Sequence, residues 1–182
     1  MYLRSYRKED VKALMELFHH TVHTINKKDY TEAQLNVWAP GIEKMNEEAW
    51  QASLSEHESK VAVIKMPDSG TEKIVGFADM ASDGYLDRLY VSSDFQRRGA
   101  AALLTEALEG FAWSKGLTQV TTYASITARP FFERRGYLTV RENIVKRESQ
   151  ELKNYFMVKR LDNGQPVIGM RKTDNAERLK SR

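Results

Sequence analysis

The sequence predicts one domain of the α+β or mixed α/β class, a mostly antiparallel sheet with helices packed on it. Three observations carry that expectation. The first sixty residues keep helical spacing of apolar positions after one short strand. From Lys60 onward the chain breaks into short apolar runs separated by turn residues, as antiparallel strands require. Between Tyr85 and Arg160 those runs alternate with two helical stretches, a strand-helix-strand-helix-strand unit set into the sheet.

Each element has a local cause. Residues 2–7 form a short strand. Val11, Leu14, Leu17 or Phe18, Val22 and Ile25 line one face of a helix from about Asp10, whose carboxylate suits the positive end of the helix dipole. Thr31-Glu32-Ala33-Gln34 is a capping box that opens a second helix, and Pro40-Gly41 stops it. Asn46 caps a third through Trp50 and Leu54. Val61–Met66, Ile74–Ala81 and Tyr85–Val91 are strands, turned at Pro67–Gly70 and at Asp83-Gly84. A helix from about Arg98 to Lys115 carries Leu104, Leu108 and Phe111 on one face, and Gly116 ends it. Thr118–Ala124 is rich in β-branched residues and forms a strand. Thr127 is placed to cap a helix with Pro130 in its first turn, ended by Gly136. Tyr137–Val145 and Leu152–Arg160 close the sheet. Residues 1–160 are thus the expected domain, and 161–182 a polar tail.

Composition narrows the function. The 182 residues are 41% hydrophobic and 29% charged, within the ordinary globular range. Cysteine is absent, which removes disulfides, thiolate metal sites and a cysteine nucleophile, and fits a reducing, cytoplasmic setting. Apolar runs are only a few residues long, whereas a membrane span needs ~20. The net charge of +3 comes from interleaved acids and bases, so neither nucleic acid nor a membrane is an expected partner. His19 and His23 share a helix face, but His20 stands where a zinc helix of that spacing needs glutamate, so no metal is expected.

The most informative stretch runs from Leu89-Tyr90-Val91 through Gln96-Arg97-Arg98-Gly99-Ala100-Ala101. A strand ends, a loop follows, and a helix opens at a glycine among small residues. The first amides of a helix lack partners and carry the positive end of its dipole, so they form an anion seat. Gly99, Ala100 and Ala101 leave room for a diphosphate, and Arg97 and Arg98 add charge beside it. Neither a Walker-type loop nor a dinucleotide fingerprint is present.

Gln96–Ala101 resembles the Q/R-x-x-G-x-G/A signature of the GNAT superfamily of acyl-CoA-dependent N-acyltransferases. Ser125–Tyr137 resembles the family's second cofactor motif, N-x-x-A-x-x-F-Y-x-x-x-G-F, and the helix and strand between the two motifs match its spacing. The runs YTEAQLNVWAP (30–40), GYLDRLYV (84–91), ASITARPFFERRGY (124–137) and Asn154-Tyr155-Phe156-Met157 are similar to the YafP-like branch. The resemblance spans roughly residues 2–160. It implies a GNAT-type fold whose fourth and fifth strands splay apart, and acetyl-CoA as donor. The pyrophosphate would rest on the amides of 97–101, and the pantetheine arm along Leu89, Tyr90 and Val91. It implies direct transfer of the acetyl group to a primary amine, by an enzyme that is a monomer or homodimer.

The chemistry needs a base, an oxyanion donor and a way for the thiolate to leave. Strand alternation sets Asp87 on the face of Leu89 and Val91, which makes it the first candidate base, with Asp79 second; Asp87 and Arg88 read equally as surface charges or a structural ion pair. The resemblance implies the Val91 N–H as oxyanion donor. Phe132 stands where many relatives carry a proton-donating tyrosine, and Ser125 where asparagine is more usual. Tyr123 or Tyr137 could replace the missing hydroxyl. Tyr30, Gln34 and Trp38 are candidate walls of the acceptor pocket, which would suit a flat or cationic amine. A non-catalytic acyl-CoA-binding module is the alternative, and Phe132 is what favours it.

Overall fold

A computed structural model describes residues 1–161. The expected tail lies outside the described residues apart from Leu161. The strands are β1 (Tyr2–Ser5), β2 (Glu58–Lys65), β3 (Glu72–Met80), β4 (Tyr85–Val91), β5 (Gln119–Ser125), β6 (Leu138–Arg147) and β7 (Gln150–Arg160). The helices are α1 (Val11–Ile25), α2 (Glu32–Trp38), α3 (Glu47–Glu56), α4 (Ala100–Ser114) and α5 (Arg129–Arg134). They build a seven-stranded sheet in the order β1-β2-β3-β4-β5-β7-β6. Every pairing is antiparallel except β4 with β5.

Local signals set most boundaries. Thr31 and Gln34 close their capping box, and Asn46 Oδ1 accepts the Ala49 N–H at 2.9 Å. Gly84 turns the β3–β4 hairpin at φ 89°, and Gly116 and Gly136 follow α4 and α5 with positive φ. Asp10 stands at the start of α1, where its charge suits the dipole, and its carboxylate takes the Arg4 guanidinium at 2.7 and 2.8 Å and the Arg7 N–H at 2.8 Å. One expectation fails locally. Thr127 does not cap α5, because its hydroxyl donates to Asp29 at 2.6 Å; Ser125 Oγ accepts the Ala128 N–H instead.

Each face of the sheet carries its own core. On one face α4 and α5 pack through Leu104, Leu108, Ala112 and Phe132 onto Val75, Ala78, Val91, Val120 and Met157. On the other, α1, α2 and α3 pack through Leu14, Phe18, Val22, Leu35 and Leu54 onto Val61, Val63 and Phe77. Leu104 and Leu108 are fully buried, and each such side chain contributes about 1.5–3 kcal/mol.

The two features that position the site sit in β4. Its pairing with β5 lasts only for Tyr85 with Thr121 and Leu86 with Thr122. Beyond Leu86 the parallel strands separate, the splay that the resemblance implies. The second feature is a β-bulge. Asp79 faces Arg88 while Met80 faces Leu86, so Asp87 is an extra residue opposite β3.

Candidate active site

At the end of β4 the chain passes through a 3-10 turn, Ser93–Phe95, into α4. Arg97 takes φ 59° and Gly99 φ 86°, two left-handed residues flanking Arg98. Alternation of this kind curls successive amides around one concave seat. The first backbone bond of α4 runs from the Leu103 N–H to the Gly99 carbonyl, and no amide from Gln96 to Ala102 finds an acceptor among the described residues. A Cβ built on Gly99 would meet nothing within 4 Å, so the glycine serves conformation and access rather than packing. Arg97 and Arg98 are exposed beside the seat, with the Arg98 guanidinium 5.1 Å from the centre of the Phe95 ring. Gln96 turns inward, donating to the Val91 carbonyl at 2.7 Å. Ala100 is buried and Ala101 half-buried, so of these two only their amides matter to the seat.

The splay exposes the inner edge of β4. The Ser92 N–H bonds the Val75 carbonyl at 2.9 Å, and Gly76 pairs with Val91. That register puts Tyr90 in a hydrogen-bonded pair with Phe77, and Leu89 and Val91 in pairs that point their amides away from β3. They therefore face the gap that β5 leaves. The Val91 carbonyl is taken by Gln96 and by Thr21 Oγ1 (3.2 Å), which leaves its N–H and both polar groups of Leu89 open to the gap.

Asp87 requires a correction. Because of the bulge it does not share a face with Leu89 and Val91, which pack toward α4. It lies with Arg88 and Tyr90 on the opposite face, in a cleft of about 570 Å³. Its side chain is 37% exposed, accessible to a ligand. Burial, then the Asp79 charge, push its pKa up, against the pull of Arg88, His57 and the Tyr85 hydroxyl. The upward direction prevails, which moves the carboxylate toward the range of a working base. Tyr85, beside it, is raised to about 12 by burial and by Asp87.

Asp79 is fully buried. It accepts from Arg88 Nε at 2.7 Å on one oxygen, and from Arg88 Nη2 at 2.9 Å and His57 Nδ1 at 2.6 Å on the other. Arg88 also donates to Ser53 Oγ at 2.7 Å and lies 4.9 Å from the Trp50 ring centre. The hydrogen bond to Asp79 raises the His57 pKa. With both oxygens engaged, Asp79 holds Arg88 and His57 rather than meeting a ligand. Ligand atoms of His57, Asp79 and Asp87 lie within 4.8 Å of one another, as a metal set would. The Arg88 fork already supplies the cation there, and an ion would have to displace it.

The cleft walls come from distant segments. Phe18, Tyr30, Trp38, Trp50, Tyr85, Tyr90 and Tyr123 give it an aromatic lining, and Asn143, Arg147, Lys153 and Asn154 form the wall from β6 and β7. Tyr30 and Trp38 are thus where the sequence places them. Tyr30 Oη donates to the Lys153 carbonyl at 2.6 Å and accepts from the Ile126 N–H at 2.9 Å. Gln34 is not in the cleft: its side chain completes the capping box and donates to the Glu151 carbonyl at 2.7 Å, tying α2 to β7. Ser125 lines the cleft. Phe132 is 2% exposed and packed against Tyr137, ring centres 4.9 Å apart. Of the two substitute hydroxyls, Tyr137 is sealed in the core without a partner, while Tyr123 lines the cleft and accepts from Arg141 at 3.0 Å. His19 and His23 hydrogen-bond the carbonyls that end α2, Ala39 and Pro40. His57, Tyr85 and Arg147 carry no sequence signal of a role; only folding brings them to the cleft or to the ion network beneath it.

Comparison with known proteins identifies the family and the fold. The family described as acetyltransferase (GNAT) domain matches residues 26–161. The chain is 30% identical over 155 residues to the uncharacterized N-acetyltransferase YafP of Escherichia coli (strain K12), covering 85% of this chain and 93% of that protein. The crystal structure of a GCN5-related N-acetyltransferase from Rhodopseudomonas palustris superposes with a TM-score of 0.80 at 31% identity, covering 88% of this chain and 95% of that one. The PaiA N-acetyltransferase of Thermoplasma acidophilum, solved in complex with coenzyme A, shares the fold at a TM-score of 0.68 and 17% identity, covering 88% of this chain and 98% of that one. No helix among the described residues is long and apolar enough to cross a membrane.

Proposed function

The chain belongs to the GNAT acetyltransferase family, and on that premise we propose that it moves an acetyl group from acetyl-CoA to the primary amine of a small molecule, with Asp87 as the base. The observation that carries the reading is the run of amides from Gln96 to Ala102 that find no acceptor among the described residues, beside the point where β4 and β5 part. Those amides, with Arg97 and Arg98, would hold the diphosphate. Leu89 and Val91 would bond the pantetheine arm as an added strand does.

Acetyl-CoA supplies an activated thioester. The chain supplies the rest. An alkylamine has a pKa of ~10.4 and must lose a proton before it can attack. Asp87, with its raised pKa and its opening to the cleft, takes that proton directly or through water. The Val91 N–H, turned toward the gap, would donate to the carbonyl oxygen as negative charge gathers there. The amine attacks within a ternary complex, so no residue need carry the acetyl group. Phe132 supplies no proton, but a thiol of pKa ~8.5 leaves as a fair anion near neutrality, and the Tyr123 hydroxyl reaches the cleft. The buried, doubly engaged oxygens of Asp79 favour Asp87 over it as base.

The test is CoA release with a panel of small amines, for the native chain and Asp87→Asn. Turnover that falls at least about tenfold in the variant, with CoA binding retained, supports the reading. Equal turnover would remove Asp87 from it, and an absence of CoA binding by the native chain would remove the cradle.

A further inference from the structure

The acceptor cleft carries more charge than the transfer reaction uses. Four charged side chains line it: Asp87, Arg88, Arg147 and Lys153. Two of the three cations are already matched. Arg88 is forked onto Asp79, and Lys153 reaches Glu142 at 2.7 Å. Arg147 makes no ion pair and no side-chain hydrogen bond among the described residues. It sits at the last position of β6, where the β6–β7 hairpin begins its turn. Its side chain lines the cleft, as do those of Asn143 and Val145 at alternate positions of the same strand. Beside it on the same wall, Asn143 donates to Asn154 Oδ1 at 2.9 Å, and the Asn154 amide protons have no acceptor among the described residues. The rings of Trp38, Tyr90 and Tyr123 line the same cleft as Arg147 and Asp87.

A ligand matched to that arrangement has a cation at one end, an anion at the other and a flat body between. We propose that the acceptor is an amine bearing an anionic group, carboxylate or phosphate, and that Arg147 anchors the anion while the amine meets Asp87. The inference rests on the reading of this cleft as the amine site. A guanidinium fork recognises either anion through paired hydrogen bonds, and the aromatic rings hold the body by stacking. A simple alkylamine would fill only the Asp87 end and leave the fork unmet, so the anionic group would add roughly tenfold to a hundredfold in affinity.

The experiment separates binding of the anion from transfer to the amine. Of the three tryptophans, Trp38 and Trp50 line the cleft and Trp113 lies exposed on α4, so intrinsic fluorescence reports ligands there. The native chain and Arg147→Ala are titrated with 3-phenylpropionate, 2-phenylethyl phosphate and the neutral 3-phenylpropanol. Arg147 is exposed and unpaired, so its removal threatens no core contact. At least one anion is expected to bind roughly tenfold or more tighter than the alcohol, with the preference lost in Arg147→Ala. Whichever anion does so identifies the class. Equal binding of anions and alcohol, or a preference that survives in Arg147→Ala, overturns the proposal. Acetylation of phenylalanine and phenethylamine is measured alongside. If neither is acetylated although the anions bind through Arg147, the amine-transfer reading fails while the anion site stands. If phenethylamine is used as well as phenylalanine, the proposal that the acceptor bears an anionic group fails and transfer stands.

Discussion

Replacing Gly99 with alanine isolates the phosphate seat from the stability of the fold. Gly99 sits at φ 86°, where a Cβ costs roughly 1–2 kcal/mol. Nothing lies within 4 Å of the position that Cβ would take, so no further steric penalty arises inside the protein. For a domain of this size the strain lowers Tm by roughly 2–8 °C. On the proposed reading of the seat, the added methyl would crowd the diphosphate. Losing one charge-assisted bond there costs about 1.5–3 kcal/mol, roughly tenfold to a hundredfold in Kd for CoA. Gly116, at the other end of α4, is the matched control: its φ is 76° and a Cβ would again meet nothing within 4 Å. Gly116→Ala should lose similar thermal stability and keep its CoA affinity. Calorimetric titration with CoA and thermal melting of both variants decide the matter. CoA affinity within twofold of native in Gly99→Ala, or an equal loss in Gly116→Ala, would refute the assignment of the seat.

The other predictions concern protons and hydrogen bonds. Asp87 has a raised pKa in the fold, so its ionised form is disfavoured there; turnover should rise as pH climbs through that value and fall away below it. By the same sign, Asp87→Asn should melt no lower than the native chain near neutral pH, with any gain vanishing in acid, as scanning calorimetry across pH would show. His57 is raised by its bond to Asp79, so the stability it adds is present below its unfolded pKa of ~6.5 and is lost as pH rises through the higher folded value. The melting gap between the native chain and His57→Gln should therefore shrink with increasing pH, and a constant gap would count against the ion network. Tyr30→Phe removes the hydroxyl that joins the Ile126 N–H to the Lys153 carbonyl and should cost about 1–3 kcal/mol, measured as a lower urea midpoint.

What the sequence determined by itself is what contiguous backbone can encode. The cradle from Gln96 to Ala101 needs only a strand end, a loop and a helix start beside Gly99, all within a dozen residues. The capping box at Thr31 and the turns at Gly84 and Gly116 are legible for the same reason: donor, acceptor and φ preference are neighbours in the chain. The tertiary structure decided where side chains point. The extra residue in β4 turned Asp87 from the α4 face to the cleft, and strand periodicity carries no sign of a bulge. Asp79 became the partner of Arg88 and of His57, 22 residues away, because burying a carboxylate demands partners wherever the fold can bring them. Gln34 and Trp38 share a short helix, yet only Trp38 reaches the cleft, since the packing of α2 against β7 fixes which side faces inward. Arg147 joined the cleft lining because the pairing of β6 with β7 places the end of β6 there. Chemistry built from successive amides can be read along the chain, whereas chemistry built from converging side chains appears only once burial has chosen their directions.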